Sequence, residues 1–234
     1  MVTLAIDSSA KAMTVGLVND ETVLGEITLN VQQNHSVQLM PAIEYLMAAS
    51  QVTPQQLSAI AVAQGPGSYT GLRIGVTIAK TLAWDLKLPL YGVSTLRTLA
   101  DNITVFDGLI VSLVDARRNA VFAGIYRRAA IGDTIETVVT DQYVTMPDLL
   151  EQLAERQEAV MIVASAADIS LYQAQIEEHL AQTVFADTAA GMPSGARLAL
   201  LAQYEKPQDV HTFVPTYIRM TEAETNWRKA QGLD

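Results

Sequence analysis

The chain has no cysteine, few charges and no long apolar run, and each absence removes a class of function. Without cysteine there are no disulfides and no thiolate nucleophile or ligand. The three histidines, His35, His179 and His211, are too scattered to suggest a zinc site by spacing. The longest apolar stretches, such as 57–63 and 109–114, fall far short of the ~20 residues that cross a bilayer. Met1 leads straight into a strand-like segment and not into a signal peptide, so a cytoplasmic protein with no membrane role is expected.

Charged residues are only 17% of the 234 residues against 50% hydrophobic ones, enough to bury a large core in one or two lobes. The net charge of −10 is uneven, because residues 1–100 hold 5 Lys+Arg against 6 Asp+Glu and residues 101–234 hold 10 against 19. Unaided nucleic-acid binding, which needs a basic face, is disfavoured. The sparsely charged first part reads instead as a lobe that hides surface in a partner.

Strand-like and helical segments alternate, which implies an α/β protein. Val2 to Asp7 and Ala12 to Val18 read as a hairpin, Val23 to Val31 as a third strand. Ile110 to Asp115 and Ala120 to Tyr126 repeat the hairpin: Asp7 precedes Gly16 by nine residues, and Asp115 precedes Gly124 by nine. Two lobes of one ancestry would produce this, although any two hairpins can share an Asp and a Gly. The boundary is expected near Thr104 to Gly108, giving lobes 1–104 and 105–234, with the tail packing back on the first. In the second lobe the pattern predicts a strand near Glu136 to Val139, helices at Pro147 to Gln157 and from Ile169 to His179, an extended segment from Glu205 to Val214, and a final stretch, Glu222 to Leu233, too polar for a core helix.

Gly65 to Gly75, in the run GPGSYTGLRIG, closes an apolar strand with a glycine turn and opens a helix near Thr70, a geometry suited to anions. The P-loop pattern is not met, since frames from Gly65 and Gly67 reach Thr70 and Leu72 where its second glycine should stand, and no lysine follows. Asp7 and Asp115 end their strands as turn caps or as cleft carboxylates, and both readings stand. Lys11, Lys80, Arg117 and Arg118 read as solvated or paired charges.

Two helices carry too little polar surface. In the helix from Ser36, Leu39, Met40, Ile43, Leu46 and Met47 make one stripe, yet the opposite side holds Val37, Pro41, Ala42 and Tyr45. In the next, Leu72, Ile74, Val76, Ile78, Leu82, Trp84 and Leu86 cannot all face one core, and Gly71, Gly75 and Ala79 lie four apart. Either both helices are sandwiched inside this chain, or they form a helix-to-helix interface through Val37, Pro41, Tyr45, Gly71, Leu72, Gly75, Val76, Ala79 and Ala83. Such a face could be self-complementary or engage a related chain, and the two outcomes would compete.

The motifs Ala5-Ile6-Asp7-Ser8-Ser9, Asn34-His35-Ser36 with Leu39-Met40-Pro41, Gly65 to Gly75 followed by Ala79-Lys80-Thr81-Leu82-Ala83, Tyr91-Gly92-Val93-Ser94-Thr95-Leu96 and Val114-Asp115-Ala116-Arg117 occur in this order. Together they resemble the bacterial TsaB family, which takes part in making threonylcarbamoyladenosine in tRNA; the match is good over the first 126 residues and weaker beyond. The resemblance implies two related α/β lobes of sugar-kinase, heat-shock chaperone and actin type, each a mixed sheet with helices packed on it, around a cleft that holds ATP in active members. In those members an Asp-x-Gly-Thr pattern follows the first strand; here Asp7 is kept, but Ser9 and Ala10 stand at the Gly and Thr positions. In the catalytic relative TsaD a His-x-x-x-His metal pair follows the strand matching Leu90 to Val93, and those positions are Thr95 and Leu99.

The resemblance therefore implies a non-catalytic subunit with no cofactor and no metal, Asp7, Ser8, Ser9, Gly65, Gly67 and Asp115 being remnants of a degenerate cleft. It pairs with TsaD, helps recruit TsaE and meets tRNA only through the complex, whose product lies next to the anticodon of tRNAs reading codons that begin with A. A homodimer through the same helices is the competing assembly, peptidase activity is not expected, and an ATP-dependent phosphotransferase is the alternative.

Overall fold

A computed structural model describes residues 1–31, 35–128, 130, 132–219 and 231. Asn34 and the segment 222–230 of the polar C-terminal stretch lie outside the described residues.

Each half of the chain builds three antiparallel strands, then helix, strand, helix, strand, helix. The first half gives β1 (Val2–Asp7), β2 (Met13–Asn19), β3 (Thr22–Leu29), α1 (His35–Ala49), β4 (Ala59–Gly65), α2 (Tyr69–Leu86), β5 (Leu90–Ser94) and α3 (Thr95–Ala100). The second gives β6 (Leu109–Asp115), β7 (Ala120–Arg127), β8 (Glu136–Thr145), α4 (Met146–Ala154), β9 (Val160–Val163), α5 (Ala166–His179), β10 (Thr183–Phe185) and α6 (Gly195–Ala202). The sheets run β3-β2-β1-β4-β5 and β8-β7-β6-β9-β10, one order twice. In both, the first strand pairs antiparallel with the second and parallel with the fourth. The repeated hairpin occupies the first two strands of each sheet with a one-residue difference in register: Gly16 lies opposite Ala5, two before Asp7, and Gly124 opposite Ser112, three before Asp115.

Period-two alternation divides each sheet between two cores. Leu4 and Ile6 of β1 join α1 and α2 in an outer core, while Ala5 faces inward to a central core shared with α3, α6, Ile110 and Val163. Val111 and Leu113 of β6 face α4 and α5 on the far side. The last helix of each half packs across the boundary, α3 against β6 and β7, α6 against β1 and β2. The close approach of α6 depends on two glycines, since a Cβ on Gly16 would enter the backbone of Gly195 and one on Gly195 the backbone of Gly16. The sequence boundary near 104–108 marks the change of sheet, and the packing of α3 and α6 does not respect it.

Several sequence-based bounds move, each for a local reason. Thr145 caps α4 by accepting the Asp148 N–H, so β8 continues from Glu136 to Thr145 instead of stopping near Val139, and α4 ends at Ala154. Ser165 caps α5 through the Asp168 N–H, which starts that helix at Ala166 and not at Ile169. The three-residue β10 is too short to carry a periodic signal. Among the described residues no helix is long and apolar enough to cross a membrane.

Candidate functional site

The lobes enclose a cleft of ≈ 1410 Å³, lined on the first lobe by Asp7, Ser9 and the turn 66–70, and on the second by Asp115, Arg117 and Ser165. Asp7 and Asp115 build the same turn at the ends of β1 and β6. Asp7 Oδ1 accepts the Ser9 N–H at 2.8 Å, and Asp115 Oδ1 accepts the Arg117 N–H at 3.0 Å. Their surroundings differ. Asp7 is buried, its Oδ2 has no protein partner, and burial holds its carboxyl above the ordinary value against the hydrogen bonds from Ser9. Asp115 accepts a second hydrogen bond from the Tyr172 hydroxyl at 2.6 Å, which burial and the neighbouring carboxylates push above its ordinary pKa. Ser9 Oγ, His35 Nδ1 and Thr95 Oγ1 are further buried polar atoms on the cleft wall without a protein partner.

The glycine turn is filled by the chain itself. A Cβ on Gly67 would run into the Ser9 carbonyl, one on Gly65 would come within 2.8 Å of the Thr216 carbonyl, and Gly65 has φ +112. The Ser68 N–H donates to Ser9 O at 2.6 Å, and Ser68 Oγ caps α2 by accepting the Gly71 N–H at 3.3 Å. Ser8 Oγ donates to the Gly71 carbonyl at 2.8 Å, so Ser8 ties β1 to α2 and does not face the cleft.

The interface expected on the helices divides in two. Gly71, Leu72, Gly75, Val76, Ala79 and Ala83 are all buried against this chain's own sheet. A Cβ on Gly71 would enter the Ser8 carbonyl, and one on Gly75 would lie 2.6 Å from Ser8 Oγ. The four-residue stripe of small side chains lets α2 lie close on β1 and β4, and these six residues are not available to a partner. This corrects the sequence expectation, because helical spacing locates a stripe without saying which surface covers it. Val37, Pro41 and Tyr45 do face outward, Val37 at 68% and Tyr45 at 69% exposure. Met40 joins them at 44%, while Ala42, read as outward, is buried. On α2 the outward residues are Tyr69, Thr70, Arg73, Thr77, Thr81, Trp84 and Asp85, Trp84 being 61% exposed, with Ile74, Ile78 and Leu82 half-buried between them.

Two features escaped sequence reasoning. Asp141 on β8 accepts the Ser94 hydroxyl on Oδ2 and the Tyr126 hydroxyl on Oδ1, both at 2.5 Å, and burial raises its pKa. A lone Asp in an alternating strand gives no sign of this. The segment after Glu205, read as extended and as a tail packing back on the first lobe, also reaches the second lobe, and that contact becomes visible only when both sheets are in place.

The model of the family described as "TsaD: tRNA N6-adenosine threonylcarbamoyltransferase" matches residues 22–227. The tRNA threonylcarbamoyladenosine biosynthesis protein TsaB of Bacillus subtilis is 44% identical over 232 residues, covering 99% of this chain and 100% of that protein. The TsaB of Haemophilus influenzae is 28% identical over 246 residues, with 99% and 98% coverage. A Pseudomonas aeruginosa crystal structure, described as an uncharacterized protein with similarity to peptidase YeaZ, superposes with a TM-score of 0.75 at 20% identity, over 93% of this chain and 99% of that one. That likeness carries the fold, and the full-length identity carries the family. The chain belongs to the TsaB family of tRNA threonylcarbamoyladenosine biosynthesis proteins, within the reach of the TsaD family model.

Proposed function

We propose that this chain is a non-catalytic subunit in threonylcarbamoyladenosine formation, pairing with a TsaD-type transferase through the outer face of α1 and α2. The observation that carries the reading is the apolar outer layer of the first lobe. Val37, Met40, Tyr45 and Trp84 are exposed on two helices whose inner faces already hold the sheet. Exposed aromatic and aliphatic side chains on an undercharged helix pair are what a helix-to-helix interface buries, at about 1.5–3 kcal/mol for each large side chain taken out of water. Met40 adds an adaptable contact.

Such a subunit promotes a reaction it does not perform by binding the competent conformation of its partner better than the idle one. That role needs a surface and no cleft chemistry. The phosphotransferase alternative draws less support, because Gly65 and Gly67, which would have to admit a phosphate, face Thr216 and Ser9 of the chain itself. Recruitment of TsaE, a homodimer through the same face and a cytoplasmic location belong to this proposal as its further parts; the acidic second lobe leaves tRNA contact to the partner.

The test is reconstitution. The chain is co-purified with a TsaD-type transferase, and tRNA modification is assayed with each subunit omitted in turn. Modification that needs this chain together with the transferase supports the reading. Transfer or ATP hydrolysis by this chain alone would sink it.

A further inference from the structure

Residues 208–219 run along the first lobe to the cleft, which 216–219 help to line, and they are fastened unequally at the two ends. On the first lobe the fastening is backbone and core. The Gln208 N–H donates to Leu90 O at 2.8 Å beside the edge strand β5, and the Thr216 N–H donates to Gln64 O at 2.7 Å over the glycine turn. Lys80 Nζ donates to the carbonyls of Phe213 at 2.7 Å and His211 at 3.2 Å. The Phe213 ring is buried in the outer core and fills the space that a Cβ on Gly92 would take. Tyr217 then accepts a hydrogen bond from Arg73 Nε at 3.0 Å and stacks on Tyr69 with ring centroids 5.1 Å apart.

On the second lobe the described hydrogen bonds and ring contacts of this segment all come from one side chain. Arg219 Nη1 donates to Ala116 O at 2.6 Å, just beyond β6, and its guanidinium lies 5.1 Å from the centroid of Tyr143 on β8. The lobes are also joined by α3 and α6, which fill the central core between the sheets, by the Ser94–Asp141 hydrogen bond, and at the cleft lining by Asn30 Nδ2, 3.7 Å from Met192 Sδ. Arg219 is thus the tie that this segment itself adds between the lobes, from a position on the cleft lining.

We propose that residues 208–219 form a cross-lobe latch, with Arg219 as its hook on the second lobe among the described residues, and that this hook helps set the opening of the cleft. The asymmetry gives the device its direction. Withdrawing Arg219 frees the segment from the second lobe, while Thr216 stays over Gly65 and keeps the glycine turn covered. A partner that draws off the arginine or covers the edge formed by Ala116 and Tyr143 would widen the cleft without uncovering the turn. The inference does not depend on the subunit role proposed above, since it concerns only the contacts of this chain with itself.

The absence of native cysteine makes the test direct. In the full chain, Lys11→Cys and Ala167→Cys place two spin labels on opposite walls of the cleft, and pulsed electron resonance reads the distance between them. The parent is expected to give one narrow distribution. Arg219→Ala is expected to broaden it and lengthen its mean by about 2 Å or more, the scale of a domain rearrangement. Tyr143→Leu, which keeps the Ala116 bond and removes the ring, is expected to give a smaller change in the same direction. Should Arg219→Ala not fold, Arg219→Gln carries the same comparison. A distribution unchanged from the parent in a folded Arg219 variant would overturn the proposal and leave the other ties between the lobes as what sets the opening.

Discussion

On the first lobe the outer helices α1 and α2 present Val37, Met40, Tyr45 and Trp84 to solvent, whereas on the second the equivalent α4 and α5 present Asp148, Glu151, Glu177 and Glu178. The sheets beneath them have the same strand order, so topology does not cause the difference. A duplicated fold buries an apolar helix face twice because each sheet has an outer face to cover. What the second surface of those helices carries is free to diverge. The described part of α4 and α5 turns these charges outward, with Leu171 on α5, 65% exposed, as the large apolar exception on those two helices. The first turns outward what a partner would bury.

The sharpest contrast between the lobes lies at their hairpin glycines. A Cβ on Gly16 would enter the Gly195 backbone, while one on Gly124 would meet the buried Tyr126 ring, which would have to give up its hydrogen bond to Asp141 to move aside. Gly16→Ala is expected to cost about 3 kcal/mol, lowering Tm by roughly 10 °C in calorimetry, and Gly124→Ala less, about 2 kcal/mol. Equal losses would break the claim that α6 docks on the first sheet through a glycine-to-glycine contact.

A second prediction concerns the two faces of α2. Gly75→Arg is expected to destabilise the isolated chain by about 3 kcal/mol, because the new side chain must displace Ser8 from between β1 and the helix. Any loss of partner binding in that variant is then a folding defect. Tyr45→Ala, on the exposed face of α1, is expected to leave Tm within about 1 °C and to weaken pairing with the transferase by about 30-fold, the scale of a central aromatic contact worth about 2 kcal/mol. Leu171→Ala on α5 serves as the matched control and should change neither, in titration calorimetry as in thermal unfolding.

How much of this was legible in the sequence follows from what periodicity encodes. The repeated Asp-to-Gly spacing located both hairpins although their registers differ by one residue, Gly16 lying two beyond the partner of Asp7 and Gly124 three beyond the partner of Asp115. The outward position of Val37, Pro41 and Tyr45 followed from the position of the core stripe on α1. The inward position of Gly71, Gly75 and Ala79 did not, since small residues at helical spacing fit a sheet of the same chain as well as a second helix. The cleft was legible only as a list. Asp7, Ser9, Gly67 and Asp115 do meet there while Gly65 lies off the lining, and that Ser9 and Thr216 fill the spaces beside the glycines depends on contacts between residues 58 and 151 apart in the chain. The cross-packing of α3 and α6, and the reach of Arg219, are long-range facts of the same kind.

A smaller effect separates the two turn aspartates. Burial raises the Asp7 pKa above its ordinary 3.8, so the folded chain holds that proton more tightly than the unfolded chain. The stabilisation this gives is complete below the ordinary value and is lost as pH rises through the folded one. Asp7→Asn keeps an oxygen for the Ser9 N–H and removes the charge. It is expected to raise Tm relative to the parent at pH 7, with the gain shrinking as pH falls toward 4. A gain of the same size at both pH values would show that the buried charge is not its source.

The central claim, that the outer face of the first lobe is where this chain meets its partner, is tested most directly by one matched pair of variants. Val37→Arg with Tyr45→Arg is compared with Leu171→Arg and the parent, each confirmed folded, in a reconstituted tRNA modification assay containing the TsaD-type transferase. The account predicts that complex formation and modification are lost only with the α1 pair. Retention of both by the α1 variant, or their loss with Leu171→Arg, would contradict it.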